Sequence, residues 1–173
     1  MNNLEQRLAR LEAIEAIRQL KARYLDACDQ KQPEQVRSCF VDGEMVIDYD
    51  RVGVLDSADA LTDLFTRFGC EAHVVEMHHA QNPQISVEGP DHASGRWGLY
   101  YHLIDARADR VTQLGGYYED EYRRVDGEWK ISATRFRVTS TQIFDLAEGV
   151  ARAVFAGTAA PAEVDDVQRQ SSD

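Results

Sequence analysis

The sequence predicts an α+β domain in which two or three helices precede a run of long antiparallel strands. Two patterns predict it. Residues 4–28 repeat apolar side chains at three- and four-residue steps, the period of an amphipathic helix. From about residue 74 to 139 the apolar positions alternate at two-residue steps in long runs joined by turn signals, the period of half-buried strands. A third observation sets the scale: 173 residues with no internal repeat and no second domain are enough for one core. We read residues 1–157 as that single domain and residues 158–173, Thr158-Ala159-Ala160-Pro161 onward, as a mobile tail.

The first helix carries Leu4, Leu8, Leu11, Ile14, Ile17, Leu20, Tyr24 and Cys28 on one face, and Arg7, Arg10, Glu12, Arg18, Lys21 and Arg23 on the other. Its first two turns are highly charged and are expected to project beyond the domain. Asp29 stands where the pattern fails, before Gln30-Lys31-Gln32-Pro33. A carboxylate there faces the negative end of the helix dipole, an unfavourable place unless it is a solvated turn residue or serves a function. Pro33 at the first helical position opens a second helix through about Val41, with Val36, Cys39 and Phe40 inward. Met45 to Tyr49 alternate as a strand, with Tyr49 on the face of Met45 and Ile47. Asp50 to Leu55 turn and extend. Ser57 caps a third helix over Ala58–Phe68, whose Leu61, Leu64, Phe65 and Phe68 form one apolar face, and Gly69 ends it.

Strands follow at about 74–88, 92–105, 111–125 and 128–139. In the second of these, Ala93, Gly95, Trp97, Leu99, Tyr101 and Leu103 are the more apolar set and turn inward. Gly115-Gly116 marks a bend or a close approach, and Asp126-Gly127 a hairpin turn. The pattern after Val138 predicts a last helix over about 141–156, with Ile143, Phe144, Leu146, Val150 and Phe155 apolar and Phe144 placed to cover a pocket.

Composition excludes several classes. A net charge of −11 opposes nucleic acid, which needs a basic footprint, and docking on an anionic membrane. No apolar run approaches a membrane span, and Met1-Asn2-Asn3-Leu4 lacks a signal-peptide core, so a cytoplasmic protein is expected. Cys28, Cys39 and Cys70 show no C-x-x-C spacing and read as reduced, mostly buried thiols.

Chemistry centres on Met77-His78-His79. Adjacent strand residues point to opposite faces, so only one histidine enters a given pocket, and no other histidine is spaced to complete a metal site; neither metal nor cofactor is expected. An inward histidine is either structural or a general base. With Asp29 on its Nδ1 proton, its tautomer would be fixed and Nε2 left free to take a proton. Tyr24 and Tyr49 would then donate to an oxygen gaining charge, unless they only pack the core. Trp97 and Tyr101 are pocket walls or core residues on equal terms.

At these residues the chain resembles the SnoaL-like branch of the NTF2-like superfamily. The pattern Ile17-Arg18-Gln19-Leu20-Lys21-Ala22-Arg23-Tyr24 followed by Asp29, the Met77-His78 segment with Asn82, and Tyr118-x-Asp120-x-Tyr122 before Asp126-Gly127-x-Trp129 carry the resemblance. Within that branch it is most similar to the bile acid 7α-dehydratases over about residues 14–139, and more distantly to scytalone dehydratases and LinA dehydrochlorinases. The resemblance implies a cystatin-like cone, with about three helices on a curved antiparallel sheet around a deep apolar pocket. It implies a cofactor-independent lyase acting on a hydrophobic hydroxylated ring substrate, such as a steroid or aromatic compound. The alternatives are an isomerase or polyketide cyclase on the same pocket, or a non-catalytic subunit or binding module. It also implies a homo-oligomer, a trimer before a dimer. The catalytic residues fall on His78, Asp29, Tyr24 and Tyr49, and the substrate-binding residues on Trp97, Tyr101, Asn82, Tyr118 and Phe144. Tyr101 stands where the dehydratases carry a pocket aspartate, and their last-strand arginine has no clean counterpart, Arg137 being one position off.

Overall fold

A computed structural model of the chain describes residues 3–50 and 52–147. Helix α1 (Asn3–Asp29) is followed by α2 (Pro33–Ser38), strands β1 (Glu44–Tyr49) and β2 (Gly53–Ser57), and helix α3 (Ala58–Phe68). Four long strands complete it: β3 (Val74–Val87), β4 (His92–Asp105), β5 (Arg110–Val125) and β6 (Glu128–Asp145). They form one six-stranded sheet in the order β2-β1-β6-β5-β4-β3. None of the described helices is long and apolar enough to cross a membrane.

The core lies between α1 and the sheet. Ile17, Leu20, Tyr24 and Cys28 face inward from α1, against Trp97, Leu99, Tyr118, Tyr122 and Ile131 from the strands. Burying such side chains stabilises the fold by roughly 1.5–3 kcal/mol each. Leu4, Leu8 and Leu11 continue the same helical stripe but are exposed, as expected for turns that run past the sheet. Ser57 caps α3 by accepting a hydrogen bond from the Ala60 amide.

Three expectations are corrected. The sheet is mixed, because β1 pairs with β6 in parallel while every other pair is antiparallel. Residues 50–127 separate β1 from β6, so the return is long enough to bring β6 back in the same direction. The segment after Asp50 is also more ordered than read: Gly53–Ser57 pairs with β1 as the edge strand. Finally, residues 141–145, expected to begin a helix, extend β6. The reason is β5, which starts at Arg110 and offers partners down to Arg110↔Asp145, so the backbone of Thr141–Asp145 finds ladder bonds there. The remainder of that expected helix and the expected tail lie outside the described residues.

Two local devices shape the sheet around the site. β3 bulges between Gln81 and Gln84, where Asn82 adopts a positive φ of 51° and Pro83 has no N–H to give the ladder. A second irregularity falls at Gly115/Gly116. There a Cβ on Gly116 would lie 2.5 Å from the Arg137 carbonyl and 2.6 Å from the Phe136 ring, so only glycine lets β5 approach β6 this closely.

Candidate active site

The end of α1 carries the first group. The helix closes with Lys31 in the left-handed region (φ 56°), the Lys31 amide donating to the Cys28 carbonyl at 3.1 Å and the Gln32 amide to the Ala27 carbonyl at 2.9 Å. This is a Schellman closure with lysine in the place glycine usually takes. The Lys31 ammonium then donates to the carbonyls of Gly69, Glu71 and Val74, which ties the end of α1 to the start of β3. The tie places Asp29 against His78. The His78 amide donates to both Asp29 carboxylate oxygens, at 3.2 and 3.0 Å, and His78 Nδ1 lies 2.6 Å from Asp29 Oδ1. A carboxylate at the wrong end of a helix dipole is thus compensated by two N–H groups of one residue.

This pairing fixes the histidine. Nδ1–H points at Asp29, and Nε2 has no partner among the described residues. His78 faces a cavity of about 300 Å³. Leu61, Leu64, Phe65 and Phe68 of α3 close one side of it, with Leu99, Leu114 and Phe136 from the sheet opposite. His79, one residue on, is exposed on the other face of β3, as strand alternation requires.

Two phenols meet in the same cavity. Tyr24 Oη and Tyr49 Oη lie 2.8 Å apart, so one donates to the other. Burial first, then their mutual proximity, pushes the Tyr24 phenol well above its ordinary range, and burial does the same for Tyr49. Both are therefore hydrogen-bond donors rather than phenolates. Cys28 also lines the cavity, and burial pushes its thiol upward, so it is not poised as a nucleophile. Tyr101 and Tyr118 line the cavity as well. The Tyr101 ring packs against His78 with centroids 4.8 Å apart.

A profile of the SnoaL-like domain matches residues 9–135. The chain belongs to the SnoaL-like family. Solved structures agree on the fold. A scytalone dehydratase candidate from Novosphingobium aromaticivorans is 23% identical, with a TM-score of 0.72 over 78% of this chain and 89% of its own. A type 2 hexachlorocyclohexane dehydrochlorinase (LinA) is 20% identical, with a TM-score of 0.73 over 79% and 92%. A protein from Nostoc punctiforme with a cystatin-like fold is 16% identical, with a TM-score of 0.56 over 71% and 88%.

In this SnoaL-like domain the remaining sequence-selected residues fall elsewhere. Trp97 does not line the cavity; it is buried and its indole N–H donates to Tyr122 Oη at 2.8 Å. Asn82 is exposed at the β3 bulge, and Phe144 is exposed on β6 rather than covering a pocket from a helix. Arg137 turns to Asp48, 2.5 Å away, while its neighbour Phe136 takes the cavity wall.

Sequence reasoning also missed residues. Lys21, assigned to the charged face, is fully buried and pairs with Asp120 at 2.8 Å. Burial pulls its ammonium below the usual lysine range, and Asp120 opposes that. Glu76, which no motif singled out, lines the cavity and accepts a hydrogen bond from Tyr101 Oη at 2.6 Å. Alternation with His78 along β3 was the signal that could have found it.

Proposed function

We propose that the protein is a cofactor-independent lyase that eliminates water from a hydrophobic, hydroxylated ring compound. One observation carries this reading: His78 pairs through Nδ1 with the Asp29 carboxylate at 2.6 Å and also lines an apolar cavity. The names of two structures of similar fold, a dehydratase candidate and a dehydrochlorinase, denote eliminations and support the same class.

In the reaction, His78 Nε2 takes a proton from a carbon acidified by a neighbouring carbonyl, and Asp29 stabilises the imidazolium that forms. The electron pair of the broken C–H bond becomes the new C=C bond, and the adjacent C–O bond breaks. The Tyr24–Tyr49 pair donates to the oxygen that gains charge. The departing hydroxide leaves as water with a proton from that pair, which the imidazolium replenishes, so the enzyme returns to its starting protonation. The apolar walls exclude water and suit a ring substrate.

The test is turnover of a panel of β-hydroxy cyclic ketones, followed by the absorbance of the conjugated enone. His78→Ala and Asp29→Asn should each lower the rate by about a hundredfold or more, the scale of a general acid–base group. Near-wild-type turnover in both variants sinks the mechanism. A double-bond shift is the second reading, favoured by the paired phenols, which suit an enolate oxygen equally well. It gives an isomer of unchanged mass, whereas elimination gives a product lighter by one water.

A further inference from the structure

The cavity contains one charged group that the proposed elimination does not use. Glu76 lies two residues before His78 on β3, on the same face, and both line the cavity. Tyr101 opposes His78 in the β3–β4 register. Its ring packs on the imidazole, and its hydroxyl reaches past it to Glu76 Oε1 at 2.6 Å. The phenol has then used its only proton, and Glu76 Oε2 has no donor among the described residues. Among the described residues no lysine or arginine lines the cavity, and Glu76 forms no ion pair with any of them.

This is an unusual set of surroundings for a carboxylate. An ionised carboxyl group offers about four acceptor positions. Here a single phenol fills one of them, and much of the nearby wall is Leu and Phe side chains. An acceptor left short of donors in apolar surroundings is costly unless a ligand supplies the donor. Its negative charge also repels a second carboxylate.

We propose that Glu76, steered by Tyr101, is a second polar anchor of this cavity: it accepts a hydrogen bond from a neutral hydroxyl of a ring substrate and keeps carboxylate-bearing compounds out. This names the substrate class of the cavity proposed above. It rests on that cavity being the substrate site, and not on the elimination itself. The hydroxyl held by Glu76 lies beside the carbon that His78 addresses, since the two side chains are neighbours on one strand face, roughly 6–7 Å apart at the backbone.

The experiment compares three probes of one shape on the full chain by calorimetry: 2-naphthol, naphthalene and 2-naphthoate. Wild type should bind 2-naphthol at least about tenfold more tightly than naphthalene, the worth of one hydrogen bond to a charged acceptor, and should reject 2-naphthoate. Glu76→Leu should bring 2-naphthol down to the affinity of naphthalene. Glu76→Gln, the variant least able to disturb folding, should admit 2-naphthoate, because its amide can donate where the carboxylate repels. Tyr101→Phe should weaken the 2-naphthol preference without abolishing it. His78→Ala should keep that preference even though it removes the base, which separates this proposal from the elimination reading. Equal affinity for 2-naphthol and naphthalene in wild type overturns the proposal, as does the absence of any 2-naphthol binding. Exclusion of 2-naphthoate by Glu76→Gln overturns it too. A preference that survives Glu76→Leu, or disappears in His78→Ala, assigns the hydroxyl to another group and also overturns it.

Discussion

Two of the molecule's pairs of carboxylate and basic side chain hang from helix α1. Lys21 meets Asp120 at 2.8 Å with neither side chain exposed at all. Asp29 meets His78 at 2.6 Å with the imidazole 12% and the carboxylate 21% exposed. The deeper difference is in what remains unpaired. Asp120 accepts from Lys21, from Tyr122 Oη at 2.8 Å and from Thr134 Oγ1 at 2.6 Å, and Tyr122 in turn accepts from Trp97. Lys21 also lies 3.4 Å from the centre of the Tyr118 ring, a cation–π contact. That network is closed: Lys21, Asp120, Tyr122, Thr134 and Trp97 each find a partner within it, and none of the five lines the cavity. In the other pair Asp29 is satisfied by one residue, and that residue lines a cavity while no partner is found for its far nitrogen among the described residues. The contrast teaches that a short charged pair is not in itself a sign of chemistry; an unpartnered atom facing accessible space is.

The largest effect should come from breaking the closed network. Lys21→Met leaves Asp120 as a buried charge without its counter-ion, and this should destabilise the fold by about 3–5 kcal/mol. For a chain of this length that lowers Tm by roughly 6–20 °C. Replacing Lys21 and Asp120 together with apolar residues of similar volume should recover much of the loss, because the desolvation cost disappears with both charges. A Lys21→Met protein that melts like wild type would mean that the network is not structural.

The open pair should behave the other way round. Asp29→Asn keeps an acceptor oxygen for the His78 N–H groups, so its cost in stability should be about 1 kcal/mol, that of one weakened hydrogen bond. Its cost in turnover should be about a hundredfold, because a neutral amide does not stabilise the imidazolium. Thermal melting and rate measured on the same preparations give the comparison directly. Equal losses in the two variants, of either kind, would erase the distinction between the pairs.

The sequence exposes one pair more readily than the other, for physical reasons. Asp29 was visible because it breaks a pattern: a carboxylate at the end of an apolar stripe. Lys21 occupies the same stripe, three residues before Tyr24 and four after Ile17, so its position was legible. Its type argued for exposure, and the partner that overrides this stands 99 residues away. The helices, the Ser57 cap and the strands from β3 to β6 follow from periodicity and turn chemistry, which are local. The parallel β1–β6 pairing and the extension of β6 through Asp145 depend on which distant backbone is free to pair, and no local period encodes that. The same limit hid Glu76, whose significance comes from Tyr101 on the neighbouring strand. Leu4, Leu8 and Leu11 continue the apolar period of α1 yet stay exposed, and it was the charge around the first two turns, not the period, that marked them as projecting.

Smaller effects are expected from the two phenols. Tyr24→Phe and Tyr49→Phe should each slow turnover by about tenfold, the loss of one donor to a charge that develops in the reaction. The double variant should be little worse than the poorer single one, because a hydrogen-bonded pair acts as a unit. Multiplying losses would show instead that each phenol reaches the substrate independently.

The least visible effect concerns alkaline pH, and it tests both regions at once. Burial raises the phenols of Tyr24, Tyr49 and Tyr118 at the cavity, and that of Tyr122 in the closed network. A group raised in the folded state adds stability that is fully present below its unfolded value, about 10 for tyrosine. That contribution is lost as pH rises above it. Phenolate absorbance from these four residues should therefore appear only together with unfolding, followed by circular dichroism on the same sample. The alkaline limb of the rate profile should not move in Tyr24→Phe, since the phenol keeps its proton throughout the working range. If Tyr24, Tyr49 and Tyr118 ionise while Tyr122 does not, the cavity admits enough water to solvate a phenolate, and its polar wall is wetter than its apolar lining implies. If all four stay protonated until the fold is lost, the cavity is as dry as the closed network at the phenols, and the difference between the regions narrows to the one nitrogen of His78 that has no partner.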